Sequence, residues 1–421
     1  MNEKVFNFLK KYQMTSSDID INASLDRFKI EIEKGLKGFG PVSEVSVPMI
    51  ATFLNPQIDV RVNEKVIVID AGGTNLRVGL AYFDGNMWQI EDVSKDKMPG
   101  LTKEYGKDEF FDYIAKRTIP FLDKAKNIGF CFSYRVEMEE NLDGKLLAWN
   151  KEIKAKEVVG SFVGEELLKA IKKYSNVKRE IVVLNDTTSV LLGGMTIEET
   201  KKFPKLIGAI YGTGFNCCYI EEGENIKKIS GLTEPMIINT ETGNFNGFTR
   251  GVFDDELTMA SVYIDDALTE KMSSGKYLAT LIYKALVKAK DDGLISINTK
   301  IPNEDEFDLP LVSMYLSGIN KDLDKCFVNS SDIDTFKDIC YELINRASKI
   351  VATSISAFAI KSSAKQIGII IEGSTFYKLK SFKELFSDYL KSILDSKGIE
   401  YQIFDGRDKI LLGAALAAML K

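Results

Sequence analysis

The chain has 421 residues, 45% hydrophobic and 28% charged, with a formal net charge of −6 and no histidine. That length favours two domains around a cleft over one simple core, and no uncharged apolar run is long enough to span a bilayer. Without a basic stripe there is no electrostatic footprint for nucleic acid, and without histidine Ser-His-Asp and Cys-His nucleophiles, His-ligated metals and imidazole acid-base chemistry are excluded.

The N-terminal MNEKVFNFLKKYQM carries Val5, Phe6 and Leu9 among lysines. This predicts a short amphipathic helix without the apolar h-region of a signal peptide, so a cytoplasmic protein with no membrane insertion is expected. Residues 1 to about 60 read as mainly helical, with DINASLDRFKIEIEKGLKG at roughly helical spacing before Gly35, Gly38 and Gly40 interrupt it. From Val66 strands take over: VIVID, the turn AGGTN and LRVGLAYF predict a hairpin about a glycine turn. Farther on, IGFCFS at 128–133 and IVVLN at 181–185 suit buried strands, with the helical EELLKAIKKY between them. Alternation of this kind means α/β. The first pattern then returns as LIGAIY, the turn GTG and FNCCYIEE over 206–222, which suggests two related halves.

After residue 250 the chain turns helix-rich, and 336–360 reads as one long helix with a buried second half. IGIII at 367–371 predicts a strand ending in Glu372-Gly373-Ser374, and ILLGAALAAML a final, glycine-entered helix of small residues. Cys131, Cys217, Cys218, Cys326 and Cys340 show no CxxC spacing and fit reduced core thiols.

Asp70 ends an apolar strand, and Gly72-Gly73-Thr74-Asn75 after it can turn backbone N–H groups toward an anion. The same turn is also what a plain hairpin needs, and nothing matches a Walker or Rossmann spacing. Gly212-Thr213-Gly214 adds weight, because two such turns facing across a cleft could hold the two ends of a triphosphate. Asn185 and Asp186 sit where a strand ends and a helix begins, a place for a helix cap or for a carboxylate at the mouth of a ligand cleft. Glu241 and Glu270 taken alone read as solvated surface charges. The residues by themselves thus suit phosphoryl transfer and name no substrate.

At these stretches, in order from about Val66 to Leu416, the chain resembles the hexokinase family. IDAGGTNLRV resembles that family's first phosphate motif, NDTT its catalytic Asn-Asp-Thr, and GTGFNCCYIEE its second phosphate motif with a sugar-binding asparagine at Asn216. NTETG and EKMSSGKYL resemble the segments carrying its two sugar glutamates, Glu241 and Glu270. EGSTFYKL resembles its adenosine motif, with one residue inserted before the Tyr-Lys.

The resemblance implies a two-domain actin-like ATPase (ribonuclease H-like) fold, mixed sheets flanked by helices with a central cleft. Residues 66–187 with the helix 413–421 would form the small domain, and 1–65 with 188–412 the large one. It implies an ATP-dependent hexokinase moving the γ-phosphoryl group of Mg-ATP to the 6-hydroxyl of a hexose such as glucose, with Asp186 as base and Lys151 bringing positive charge. Ser133, Asn150, Lys151, Asn185, Asp186, Asn216, Glu241 and Glu270 would touch the sugar. The nucleotide would meet Asp70, Gly72, Gly73, Thr74, Asn75 and Arg77 on one side and Gly212, Thr213, Gly214, Gly373, Ser374 and Gly413 on the other. Asp70 would reach Mg2+ through a water.

Three departures stand out: Arg135 where the family has proline, Asn150 where threonine is usual, and Leu411-Leu412 before Gly413. The first two leave the preferred hexose open. They also leave room for a kinase of another sugar or polyol, or for a nucleotide-dependent sensor that transfers no phosphate. Monomer and homodimer are both open.

Overall fold

The computed structural model describes residues 2–38, 44–149, 153–262 and 264–421. Two helices open the chain. In α1 (Glu3–Lys11) Asn2 caps the first turn, and Val5, Phe8 and Leu9 are buried; α2 (Ile21–Lys37) is capped by Asp20, which accepts the Ala23 N–H. The helical reading to about residue 60 fails at Gly38, whose left-handed φ of 71° closes α2. Among the described residues beyond it, Pro48 and Pro56, which lack a backbone donor, flank a short strand, β1 (Ile50–Ala51).

Next come β2 (Val66–Ala71), β3 (Asn75–Phe83), β4 (Trp88–Lys97), α3 (Lys107–Thr118) and β5 (Asn127–Phe132). A two-stranded hairpin, β6 (Arg135–Met138) and β7 (Gly144–Ala148), leads to α4 (Val163–Ile171), β8 (Glu180–Leu184) and α5 (Asp186–Gly194). The second half repeats the plan with β9 (Lys205–Tyr211), β10 (Phe215–Glu221) and β11 (Met236–Asn239). A helical insertion follows: α6 (Val252–Met259), α7 (Leu268–Ser273), α8 (Gly275–Asp291), α9 (Leu309–Leu316) and α10 (Ser330–Lys361). Then come β12 (Gln366–Glu372), α11 (Ser374–Lys378), α12 (Phe382–Ser396), β13 (Glu400–Asp405) and α13 (Ile410–Ala418).

The first sheet has the order β4-β3-β2-β5-β8 and the second β1-β11-β10-β9-β12-β13. In each, a three-strand antiparallel meander is followed by two parallel strands: β2 pairs parallel to β5 and β5 to β8, β9 parallel to β12 and β12 to β13. The repeat read from the glycine turns is therefore a repeat of whole sheets. Even the helices after the last strands correspond, α5 after β8 and α13 after β13.

Those two helices lie between the sheets. Val66, Val68 and Val182 of the first sheet and Leu206, Ile237 and Ile370 of the second meet Val190 and Leu191 of α5 and Ala414 and Ala415 of α13 in one core. The opposite faces bury Ile67, Ile69 and Phe130 against α3 and α4, and Ile207, Ala209 and Ile369 against α10 and α12. Strands covered on both sides read as unbroken apolar runs, which is why VIVID and IGIII were legible. The α5–α13 contact is so close that a Cβ at Gly413 would stand 1.8 Å from the Ser189 carbonyl oxygen. Gly413 thus lies inside α13 and does not enter it, a correction to the sequence reading. No helix among the described residues is long and apolar enough to cross a membrane.

Candidate active site

The C-terminal ends of β2, β8 and β12 carry or precede carboxylates, Asp70, Asp186 and Glu372, that influence one another electrostatically. Asp70, next to last in β2, is buried, and its Oδ2 accepts the Arg77 Nε at 2.9 Å and meets Nη2 at 2.7 Å across the β2–β3 hairpin. The turn between them is tight, with Gly72 N–H donating to the Asn75 carbonyl at 3.0 Å, and Thr74 and Asn75 are exposed at its tip. Ser133 follows β5, is buried, and donates its N–H to Ala71 at 3.1 Å, so it sits beside Asp70.

At the end of β8 the cap is Asn185, whose Oδ1 accepts the Thr187 N–H at 2.9 Å. Asp186 is the first helical residue, and its Oδ1 takes the same N–H at 2.8 Å. The capping reading thus falls on Asn185, with Asp186 sharing the same donor.

The second turn is built like the first: Gly212 N–H donates to Gly214 at 3.0 Å, and Thr213 is exposed. Gly275 at the start of α8 donates to the Gly212 carbonyl at 2.9 Å. Gly373, at φ 129°, lies against the same turn, where a Cβ would come 2.0 Å from the Tyr211 carbonyl oxygen. Ser374 begins α11 immediately after it.

Past this turn, Asn216 Nδ2 donates to Asn239 Oδ1 at 2.8 Å, and Asn239 Nδ2 donates to Glu241 Oε1 at 2.8 Å. Glu241 is held in a left-handed conformation, φ 53°. Glu270 on α7 accepts the Phe215 N–H at 3.0 Å through Oε2. Asn216, Glu241 and Glu270 are thus gathered at one place, and neither glutamate is the freely solvated charge that its sequence context suggested. Tyr134, Asn185, Asn239 and Glu241 line a small cavity together with Thr52 and Val136, so residues of both halves face each other. Asn150 and Lys151 lie outside the described residues.

Electrostatics joins these pieces. Burial pushes the Asp70 carboxyl up; Arg77 opposes this and the charge of Asp186 adds to it. Glu372 at the end of β12 is pushed up to about 7 by burial first and Asp186 second, with Arg77 opposing. Glu241 is raised by burial, eased by Asn239 and Arg135, and raised again by Asp186 and Asp266. Asp186 therefore stands within electrostatic reach of Asp70 and Glu372 on one side and Glu241 on the other. Three residues here were given no site role from the sequence: Asn239, Glu372 and Tyr134, whose hydroxyl donates to the Gly72 carbonyl at 2.8 Å. Asn239 and Glu372 are the first residues of NTETG and EGSTFYKL and each ends a strand, which was the available signal.

Two family models, both described as hexokinase, match residues 5–196 and 206–420. Hexokinase HKDC1 of Mus musculus is 32% identical over 309 residues, 70% of this chain and 33% of that protein. Hexokinase-2 of Candida albicans is 28% identical over 421 aligned residues, 91% of this chain and 84% of that one. The chain thus spans about a third of the mouse protein and most of the yeast one. Among solved structures, a hexokinase from Schistosoma mansoni complexed with glucose superposes with a TM-score of 0.83 at 22% identity, covering 100% of this chain and 98% of that one.

Proposed function

This chain belongs to the hexokinase family and has its actin-like fold, and from that premise we propose that it transfers the γ-phosphoryl group of Mg-ATP to the 6-hydroxyl of a hexose such as glucose. The observation that carries this is the position of Asp186, within electrostatic reach of both the phosphate-side carboxylates Asp70 and Glu372 and the sugar-side Glu241.

In this reading the sugar lies against Ser133, Asn185, Asn216, Glu241 and Glu270, and the family resemblance adds Asn150 and Lys151 as further contacts. Each hydroxyl finds a fixed partner, and a partner left unpaired in a dry site is costly. Asp186 accepts the hydroxyl proton. A carboxylate suffices because phosphoryl transfer rests mainly on positioning and charge stabilisation. Thr74 and Thr213 hold phosphate oxygens from the two turns, Gly72, Gly73 and Asn75 line the first, and Gly212, Gly214, Gly373 and Ser374 border the nucleotide. Arg77 fixes Asp70, and Gly413 acts through helix packing.

Magnesium suits this donor set. Asp70, buried against Arg77, and Asp186 repel each other, and these carboxylates would gain from a nearby cation. Bound Mg2+ would offset the charge of the phosphates. The same proposal places the protein in the cytoplasm with hexose and ATP as its partners, and divides it into a small lobe (66–187 with 413–421) and a large one (1–65 with 188–412). The lobes close on the sugar to exclude water as a competing acceptor.

A coupled ADP-release assay over glucose, fructose, mannose and glucosamine tests the reading. Sugar-dependent ADP formation is expected. Its absence with all four overturns the hexokinase reading, and sugar-independent ADP release would favour the sensor-like ATPase.

A further inference from the structure

Strand β6 carries the segment that faces Glu241, and it begins with a bulge between Arg135 and Val136. Val136 and Met138 line the cavity beside Glu241, while the bulge re-aims the Arg135 side chain toward the second half of the molecule. There its Nη1 meets Asp266 Oδ2 at 3.6 Å, with the two side chains 34% and 43% exposed. Asp266 is not free to drift. The next residue, Ala267, donates its N–H to Asn244 Oδ1 at 2.9 Å, beside the turn that holds Glu241, and α7 with Glu270 starts one residue later. The Arg135 guanidinium also acts on Glu241, easing the cost of keeping that carboxylate charged.

We infer that Arg135 and Asp266 form a latch between the two halves, with Arg135 a positioning residue that holds Glu241 and the Glu270 helix over the hexose. The inference rests on the hexokinase reading and deepens it at the position where this chain departs from the family pattern. Proline there would offer no charge to either carboxylate. The pair is half-exposed, so its contribution is modest and salt-sensitive, about fivefold at most in an affinity. It acts on sugar binding, because both carboxylates it faces lie at the sugar end and not beside the phosphate turns.

The test is a double-mutant cycle on hexose KM, ATP KM, kcat and melting temperature at low and high salt. It uses Arg135→Ala, Asp266→Ala, the double variant and the charge exchange Arg135→Asp with Asp266→Arg. Each single variant should raise hexose KM about two- to fivefold, leaving ATP KM and melting temperature near the parent's. The double should be no worse than Arg135→Ala, the exchange should recover part of the loss, and the salt dependence of hexose KM should shrink in both single variants. Additive losses, or equal damage to ATP KM and melting temperature, overturn the latch. A parent with no sugar-dependent turnover overturns the hexokinase reading and the latch with it, whereas a sugar-active parent with unaffected variants overturns the latch alone.

Discussion

The Tyr134 hydroxyl donates to the Gly72 carbonyl at 2.8 Å, tying the segment that lines the cavity beside Glu241 to the β2–β3 turn. The Tyr134 ring is buried and packs edge-on against Trp149, with centroids 4.7 Å apart. Tyr134→Phe keeps this packing and removes the hydrogen bond to Gly72, worth about 1 kcal/mol. ATP KM is expected to rise about two- to fivefold with little change in melting temperature, read from initial rates at saturating sugar and from a thermal melt.

Glu270 makes a different demand. Its Oε2 accepts the Phe215 N–H, one residue before Asn216, so it can serve recognition and local order together. Glutamine still offers an oxygen to that N–H but accepts sugar hydroxyls more weakly. Glu270→Gln should raise hexose KM about tenfold or more while ATP KM and melting temperature barely move. An equal loss of thermal stability would make Glu270 a structural residue.

Glu372 gives the fold a pH signature. Its carboxyl is raised from 4.5 to about 7, chiefly by burial, so between those values the folded state binds more protons than the unfolded chain. Stability from this group is therefore fully present below about pH 4.5 and is lost as pH rises through about 7. Melting temperature of the nucleotide-free protein should fall over that window, and Glu372→Gln should flatten the fall. Parallel curves for parent and variant would contradict the assignment.

The helix pair between the sheets can be probed at Gly413. Gly413→Ala forces a Cβ against the Ser189 carbonyl, a backbone contact that cannot swing aside. A loss of about 1–3 kcal/mol or more is expected in denaturant melts. ATP KM of the folded fraction should stay near the parent's if Gly413 acts through packing.

Much of this architecture was legible because its strands are covered on both faces. VIVID, IVVLN and IGIII became β2, β8 and β12, and the two glycine turns became the hairpins that start each sheet. The long helix was legible too, from Ile350, Val351, Ile355 and Phe358 at helical spacing, though it begins earlier, where Asn329 caps it. The β6–β7 hairpin was missed because its sequence, RVEMEENLDGKLLA, is charged, and the alternation in RVEM runs for only four residues and is not matched in GKLLA. Glu241 and Glu270 became site candidates only through resemblance, since nothing local distinguishes a carboxylate that faces a cleft from one that faces water. Asn239 escaped notice because its role depends on a cross-strand neighbour, Asn216, far away in sequence.

The most direct test of the central claim is made on Asp186. Asn185 supplies the helix cap, so Asp186→Asn should leave the fold and both substrate affinities near the parent's. Parent and variant are given saturating Mg-ATP and glucose, and the product is followed by phosphorus NMR with melting temperature and glucose binding measured alongside. The parent should yield hexose 6-phosphate, and the equally folded, glucose-binding variant should form it about 10²–10⁴-fold more slowly, because the lost interaction belongs to the transition state. Near-parental turnover by Asp186→Asn, or phosphate appearing on another hydroxyl, would contradict the account.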